Sequence, residues 1–230
     1  MGLKYITFAG IDESCSVEEL IALARKEPRL EYAFLYQDFS VQKPRYPSYG
    51  WILETAWRLR GAGVPLALHV CGNLVAEVVN LSGLAQLPAR TFFDRIQLNA
   101  PIQEAQHASF GYLADWLAPT KVITQQPVNP NLHLKARRRT HQVVFDGSLG
   151  RGILPDRWDA PLEGVFCGYS GGLGPESISN ALPLIFNAAG KADFWIDMET
   201  GLRDEHNAFS IHRAERTLEA IAEVEARLTP

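Results

Sequence analysis

The feature that most constrains the fold is a repeated alternation of short apolar segments with longer segments of helical period. The short segments are rich in branched and aromatic residues, which favour strands. Strands that alternate with helices predict a parallel sheet joined by crossover helices. Eight strands are predicted, at residues 3–9, 31–36, 64–70, 92–98, 121–125, 142–145, 164–169 and 192–197.

The number of strands and the chain length together select an architecture. A chain of 230 residues with 47% hydrophobic content can bury one large core. Eight strands in this length predict a single TIM (β/α)8-barrel domain over residues 1–230. The alternative is an open doubly wound sheet, but no GxGxxG follows the first strand, so no dinucleotide or other cofactor is predicted. Prolines and glycines after strands 5 and 6 predict reduced or irregular helices there.

Charge and cysteine content restrict the partners. A net charge of −4 and an isoelectric point near 5.9 favour a small-molecule ligand over nucleic acid. The basic run at residues 135–139 is interpreted as a solvated loop. Three widely spaced cysteines predict reduced thiols in the cytoplasm, without a metal site. The N-terminal segment predicts neither a signal peptide nor a membrane span. A barrel wall left bare by a reduced fifth helix predicts a homodimer.

Polar residues are concentrated at the predicted C-terminal ends of the strands, where TIM barrels carry their catalytic groups. Residues i and i+2 point to the same side of a strand, so each pair of polar residues is expected to face the same way. Asp146 stands out because burying a carboxylate after an apolar strand is costly without a partner or a task. The alternative is that these residues only satisfy one another inside the barrel. The set is Gln37, Asp38, His69, Cys71, Gln97, Asn99, Gln125, Asp146, Asp197 and Glu199.

Glycines follow the last two predicted strands. The segment 170–175 reads Ser-Gly-Gly-Leu-Gly-Pro ahead of a predicted helix, and Thr200-Gly201 follows strand 8. Glycine leaves backbone N–H groups unobstructed, and a helix N-terminus favours an anion. Loops after strands 7 and 8 are where TIM barrels often hold phosphate. Gly171, Gly172 and Gly201 are therefore predicted to bind phosphate.

Several segments resemble phosphoribosylanthranilate isomerase, a TIM-barrel family of tryptophan biosynthesis. Gln97-Leu-Asn99 resembles the family's Gln-Leu-His at strand 4, and Phe145-Asp146 resembles its Leu-Asp. The remaining similarities extend over the whole chain: Phe8-Ala-Gly-Ile-Asp12 to Cys-Gly-Ile-Thr, Lys43-Pro-Arg45-Tyr46 to Ser-x-Arg-Tyr, Gly150-Arg-Gly152 with Trp158 to Gly-Thr-Gly and Asp-Trp, Tyr169-Ser-Gly-Gly-Leu-Gly-Pro175 to Ala-Gly-Gly-Leu-x-Pro, and Ile196-Asp-Met-Glu-Thr-Gly-Leu202 to Val-Asp-x-Ser-Ser-Gly-Val.

The resemblance implies roles for individual residues. It implies that Asp146 is the general acid of an Amadori-type isomerisation and that Arg45 holds a carboxylate. The family's catalytic cysteine is replaced by Ala9, its strand-4 histidine by Asn99, and a serine beside the phosphate by Glu199. Such a carboxylate repels phosphate unless Arg203 or Arg151 offsets it. The substrate is therefore expected to differ from that of the family.

Because Ala9 cannot act as a base, another cysteine is considered for that role. Cys71 ends strand 3 two residues after His69, and a nearby histidine can lower the pKa of a thiol. Cys15 is the other candidate, and Cys71 is alternatively a buried hydrophobe. The predicted catalytic residues are thus Asp146 and Cys71. The predicted substrate-binding residues are Arg45, His69, Gln97, Asn99 and Asp197.

These observations predict a protein similar to phosphoribosylanthranilate isomerase that acts on or binds a small metabolite by acid–base chemistry. The metabolite is expected to be phosphorylated and sugar-derived, or carboxylated. One alternative is a non-catalytic descendant that binds a metabolite. Another is a lyase of the aldolase type, but Lys121 begins its strand and lies at the wrong end for a Schiff base.

Overall fold

The computed structural model describes residues 2–37, 45–88, 90–100, 102, 106–126, 140–148 and 151–228. Eight strands form a closed barrel in which each strand is parallel to the next one in the sequence, and β8 pairs with β1. This is the predicted architecture. The strands are β1 Leu3–Ala9, β2 Leu30–Tyr36, β3 Leu66–Val70, β4 Arg95–Leu98, β5 Lys121–Gln126, β6 His141–Asp146, β7 Cys167–Ser170 and β8 Phe194–Met198.

Helices cover the outside of the barrel. The spacing Ser16-x-x-Glu19 predicts a capping box at the start of the first helix, and Ser48 is predicted to cap the second. The first cap is confirmed, because the Ser16 hydroxyl accepts a hydrogen bond from the Glu19 amide at 3.4 Å. In the described part of the chain no helix is long and apolar enough to cross a membrane. The α-helices are α1 Val17–Lys26, α2 Tyr49–Gly61, α3 Leu74–Val79, α4 His107–Leu117, α5 Ile178–Ala189 and α6 Ile211–Leu228.

The connections after β5 and β6 were predicted to be irregular. Residues 151–166, between β6 and β7, contain no helix, which agrees with the prediction. Most of the connection between β5 and β6, including the basic run at 135–139, lies outside the described residues. Four strands, β3, β4, β7 and β8, begin later than predicted. Val64 and Phe93 are buried although they precede β3 and β4, so apolar burial alone did not distinguish a strand from the turn before it.

Every second residue of a strand faces the barrel interior, which is filled by side chains. One interior cluster consists of alanines from β1, β2 and β3, and another consists of Ile123, Val144 and Trp195. Small residues thus stand on one side and large ones on the other. Gly168 on β7 makes room for the indole, because a Cβ there would lie 2.0 Å from the Trp195 ring.

A buried ion pair lies on the N-terminal side of this interior. The Arg95 guanidinium donates from Nε to Glu31 at 2.7 Å and from Nη2 to the Thr7 hydroxyl at 2.8 Å. The same cation lies 4.8 Å from the Tyr5 ring centroid and 4.7 Å from that of Trp195. The pair was not predicted, because its partners are 64 residues apart.

Candidate functional site

A cavity of about 110 Å³ lies at the C-terminal ends of the barrel strands. Its walls contain three carboxylates, three carboxamides and one histidine. Of the residues predicted to form the site, Arg45 and Cys71 are outside its lining. Those that line it are His69, Gln97, Asn99, Asp146, Gly171, Gly172, Asp197 and Gly201. The sequence prediction had not named Ser148. It had placed Gln125 at a strand end and Thr200 beside the glycine loop without a role of its own, and all three residues line the cavity.

A second and larger cavity, of about 720 Å³, lies around Tyr5 and Arg95, at the opposite end of the barrel. Lys121, the lysine considered for a Schiff base, lines this second cavity and not the first. TIM-barrel chemistry takes place at the C-terminal end of the strands. The first cavity is therefore the candidate site, and Lys121 is remote from it.

Asp146 ends β6, and its carboxylate is buried and surrounded by donors. Gln125 Nε2, from the adjacent strand β5, donates to Oδ2 at 2.5 Å. The amide and hydroxyl of Ser148 donate to Oδ1 at 2.9 Å and 2.7 Å. An aspartate that accepts from the backbone two residues later forms a common turn, so the spacing Asp-x-Ser is a signal from which Ser148 could have been identified. Three donors suit a carboxylate and hold it in one orientation.

Asp197 lies on β8 and is also buried, but it has fewer donors. Gln97 Nε2 donates to its Oδ2 at 3.2 Å and to Asn99 Oδ1 at 2.9 Å. Burial raises the pKa of Asp197 to about 7, although the hydrogen bond from Gln97 opposes the shift. Two of the three carboxyl groups of the cavity thus have different environments: the hydrogen bonds between described residues give Asp146 three donors and Asp197 one.

His69, on β3, faces Asp197 across the cavity. Its Nε2 lies 3.9 Å from Asp197 Oδ2, which is too far for a hydrogen bond. Burial, followed by the nearby Arg95 cation, lowers the pKa of His69 to about 3, so the ring is neutral and the contact is not an ion pair. Within the described residues, His69 Nε2 and Gln97 Oε1 are buried and have no hydrogen-bond partner.

Cys71 does not have the environment of a reactive thiol. Its Sγ donates to the His69 carbonyl at 3.4 Å and accepts from Asn99 Nδ2 at 3.4 Å. Burial, followed by the charge of Glu199, raises the pKa of the thiol to about 12. The expectation that His69 lowers this pKa was wrong, because the buried imidazole is neutral. Burial likewise raises the pKa of Cys15 to about 12.

Glu199 is balanced by two arginines. Arg45 Nη1 lies 3.3 Å from its Oε1, and burial raises the pKa of Glu199 against the opposing charges of Arg45 and Arg203. The contact with Arg45 is not aligned as a hydrogen bond, since Oε1 has no hydrogen-bond partner. Arg203 was correctly considered as an offsetting cation, whereas Arg151 donates to the Ser148 carbonyl. Arg45 therefore contacts a carboxylate of the protein itself.

The glycines bring the loops after β6, β7 and β8 into contact. A Cβ on Gly172 would lie 2.4 Å from the Leu154 amide nitrogen, and one on Gly201 would lie 2.2 Å from the Leu173 carbonyl. Among the hydrogen bonds between described residues, none is donated by the backbone N–H of Gly171, Gly172 or Gly201. All three glycines line the cavity.

The N-terminus of α5 contributes less than predicted. The helix begins at Ile178, and the amides of Ser177 and Ile178 both donate to the Gly174 carbonyl, at 3.1 Å and 2.9 Å. Neither residue lines the cavity. The first turn of this helix is therefore not part of the cavity wall.

No family model and no curated protein matches the sequence. The fold is similar to several solved structures. Phosphoribosyl anthranilate isomerase from Thermus thermophilus has a TM-score of 0.57 at 17% identity, and the alignment covers 96% of this chain and 99% of that one. A truncated 3-deoxy-D-arabino-heptulosonate 7-phosphate synthase from Thermotoga maritima gives 0.56 at 10%, covering 97% and 88%.

A β-mannanase from Alicyclobacillus acidocaldarius is similar to the same degree, with a TM-score of 0.57 at 12% identity over 96% of this chain and 97% of that one. The fold is the TIM barrel. An isomerase, a synthase and a glycosidase share it, and at these identities the likeness shows the fold alone. Within the described ranges, no group of three His, Cys, Asp or Glu side chains is arranged to hold a metal ion.

Proposed function

We propose that this TIM barrel is an acid–base enzyme of the isomerase type that acts on a small sugar-derived metabolite carrying a phosphate or a carboxylate. The observation that supports this most is the position of Asp146. Its buried carboxylate lines the same small cavity as the amides of Gly171, Gly172 and Gly201. An anion on the amides and a reacting atom near Asp146 together fix the orientation of a ligand.

Asp146 is proposed to exchange a proton with the bound metabolite. Gln125 and Ser148 orient the carboxylate, and a positioned carboxyl group is a common general acid or base. Cys71 is left out of the proposed chemistry because its thiol is protonated at any physiological pH. Arg45 can hold a ligand carboxylate only by exchanging Glu199 for it.

The test is turnover by the wild type and by Asp146→Asn. The panel includes phosphoribosylanthranilate, followed by loss of anthranilate fluorescence, together with aminosugar phosphates, aldose phosphates and sugar acids. We expect Asp146→Asn to lower kcat at least about 100-fold, since removing a general acid or base costs that much. Asp94→Asn, which changes an exposed aspartate at the other end of the barrel, serves as the control and should leave kcat unchanged.

A non-catalytic binding protein is the outcome that contradicts this proposal. In that case no member of the panel is turned over, and a phosphorylated or carboxylated ligand raises the melting temperature of the wild type and of Asp146→Asn equally. Ligand-dependent thermal shifts of both proteins, measured beside the kinetics, separate the two functions.

A further inference from the structure

We propose that Asp197 and His69 form the second acid–base group of the cavity and exchange a proton with a ligand atom held between them. The inference rests on the proposed function and adds a named partner for Asp146. It assigns to Asp197 and His69 a role beyond substrate binding. Neither residue is near Asp146 in the sequence, and only the barrel brings the three into one cavity.

The distance between the two side chains suits a bridging ligand. His69 Nε2 and Asp197 Oδ2 are 3.9 Å apart, so they do not hydrogen-bond to each other. One oxygen or nitrogen at about 2.8 Å from each of them satisfies both. Both residues line the cavity, so that position is open to a ligand.

Two buried atoms without partners point to the same place. His69 is 2% exposed and Gln97 is 5% exposed, yet His69 Nε2 and Gln97 Oε1 have no partner among the described residues. Folded proteins leave few buried polar atoms unsatisfied, and those that remain often have a functional explanation. A sugar hydroxyl can donate to Gln97 Oε1, and a carbonyl oxygen can accept from His69 Nε2 when the neutral ring carries its proton there.

The proton distribution fits the role. Near pH 6 the Asp197 carboxyl is mostly protonated while the His69 ring is neutral, because burial raises the pKa of Asp197 to about 7 and lowers that of His69 to about 3. Asp197 therefore carries a transferable proton beside a neutral imidazole, whose Nε2 has no hydrogen-bond partner among the described residues. The polar or charged side chains that act on Asp197 from other strands are Glu31, His69, Arg95, Gln97 and Asp146, and Glu199 lines the same cavity.

The proposed step balances without a co-reactant. The Asp146 carboxylate removes a proton from the ligand carbon beside a carbonyl, and the C–H electron pair forms a C=C bond. The carbonyl π pair moves onto the oxygen, which takes the proton of Asp197. The intermediate is an enediol or enaminol. Asp146 returns its proton to the former carbonyl carbon, while the hydroxyl or amino group on the other carbon loses a proton to the Asp197 carboxylate, so both groups regain their starting states. The neutral His69 ring, with its proton on Nε2, donates a hydrogen bond to the carbonyl oxygen and positions it.

The first experiment needs no substrate. Infrared spectra of the ligand-free protein from pH 5 to 9 are compared for wild type, Asp197→Asn and His69→Gln. His141→Gln is the matched control, because His141 is the other buried histidine of the strands and contacts Thr124 outside the cavity lining. We expect a protonated-carboxyl band that titrates near pH 7, is absent in Asp197→Asn, shifts in His69→Gln and is unchanged in His141→Gln. The proposal is overturned if the wild type shows no protonated-carboxyl band, or if the band persists in Asp197→Asn.

The second experiment uses the substrate identified for the proposed function. Asp197→Asn should lower kcat at least about 100-fold with a smaller change in KM, and should remove the limb of the pH profile near pH 7. Retention of kcat within threefold shows that Asp197 only binds. If the wild type turns over no ligand, the proposed function fails, whereas the infrared result still decides whether Asp197 holds the proton.

Discussion

At the scale of single residues, the environment of a side chain changes what it is able to do. Cys71 and Asp197 are both buried beside the cavity, and burial disfavours the charged form of each. For a thiol this produces an unreactive group. For a carboxyl group it produces an acid that titrates near neutral pH, which is useful for proton transfer.

The thiol of Cys71 is therefore expected to be inert in the folded protein. We predict that Cys71→Ala retains kcat within threefold on any substrate of the wild type. Iodoacetamide at pH 8 should modify Cys71 at less than about 1% of the rate found in guanidinium, because only the thiolate reacts. Mass spectrometry of the alkylated peptides measures both rates. Rapid alkylation of folded Cys71, or loss of turnover in Cys71→Ala, would restore it as a catalytic candidate.

At the scale of elements, the loops after β6, β7 and β8 form one unit through direct backbone contact. Gly172 has a φ of +63° and contacts Leu154, so it needs both a left-handed conformation and the absence of a side chain. The segment that it contacts begins at Gly152, which lines the cavity. A change at Gly172 thus acts on the cavity wall.

We predict that Gly172→Ala is more harmful than Gly63→Ala. Gly63 follows α2 with a φ of +79°, and a Cβ there would meet nothing within 4 Å. At each position the positive φ strains an alanine by roughly 1–2 kcal/mol. Only Gly172→Ala also displaces the loop, so we expect a larger loss of stability and a fall in kcat/KM of about tenfold or more. Thermal unfolding and kinetics measure the two effects, and equal behaviour of the variants would contradict the idea.

Two helix caps show what local sequence predicts well. The Ser16 cap with Glu19 three residues later was confirmed, because all of its partners lie within one turn. Ser48 was also predicted as a cap, and α2 does begin at the next residue. The Ser48 hydroxyl, however, donates to Glu13 at 2.5 Å instead of accepting from the helix. A partner 35 residues away determined that outcome.

At the scale of the whole molecule, Asp197 and His69 affect stability in opposite directions as pH changes. Folded Asp197 keeps a proton that the unfolded chain releases above about pH 4, so its contribution to the free energy of unfolding falls as pH rises from about 4 to 7. Below about pH 6.5, His69 binds a proton in the unfolded chain but not in the folded one. Its contribution therefore rises with pH from about 3 to 6.5. The two effects oppose each other where the windows overlap.

We predict that removing one of the two titrating groups leaves the pH dependence of stability that the other group causes. Relative to wild type, the slope of the free energy of unfolding against pH between 4.5 and 6.5 becomes more positive in Asp197→Asn and more negative in His69→Gln. At pH 8, Asp197→Asn should be more stable than wild type, by up to about 4 kcal/mol. Urea unfolding at several pH values measures this. Variants whose curves run parallel to that of the wild type would rule out the proposed titrations.

The sequence predicted the barrel but left other whole-molecule properties open. The homodimer stays a prediction. The buried Arg95–Glu31 pair inside the barrel was missed, because a charged residue within a strand gives no local sign of its partner. Removing one partner of such a pair leaves an uncompensated buried charge, so the pair constrains the interior as strongly as the apolar residues do.

The sequence by itself determined the order and type of the elements and the ends at which polar residues collect. These follow from local periodicity, since residues two apart share one face of a strand. It thereby named most of the residues that line the cavity. It did not specify the neighbours of Arg45 and Cys71, and the roles of these two residues depend on those neighbours.

Only the tertiary structure decided which side chains contact each other and which of them are protonated. Closure of the barrel places His69 3.9 Å from Asp197, Gln125 against Asp146, and Arg45 against Glu199. The protonation of each group depends on how far it is removed from water and on the charges around it. Those quantities come from residues that are distant in the sequence, so they exist only once the barrel has closed.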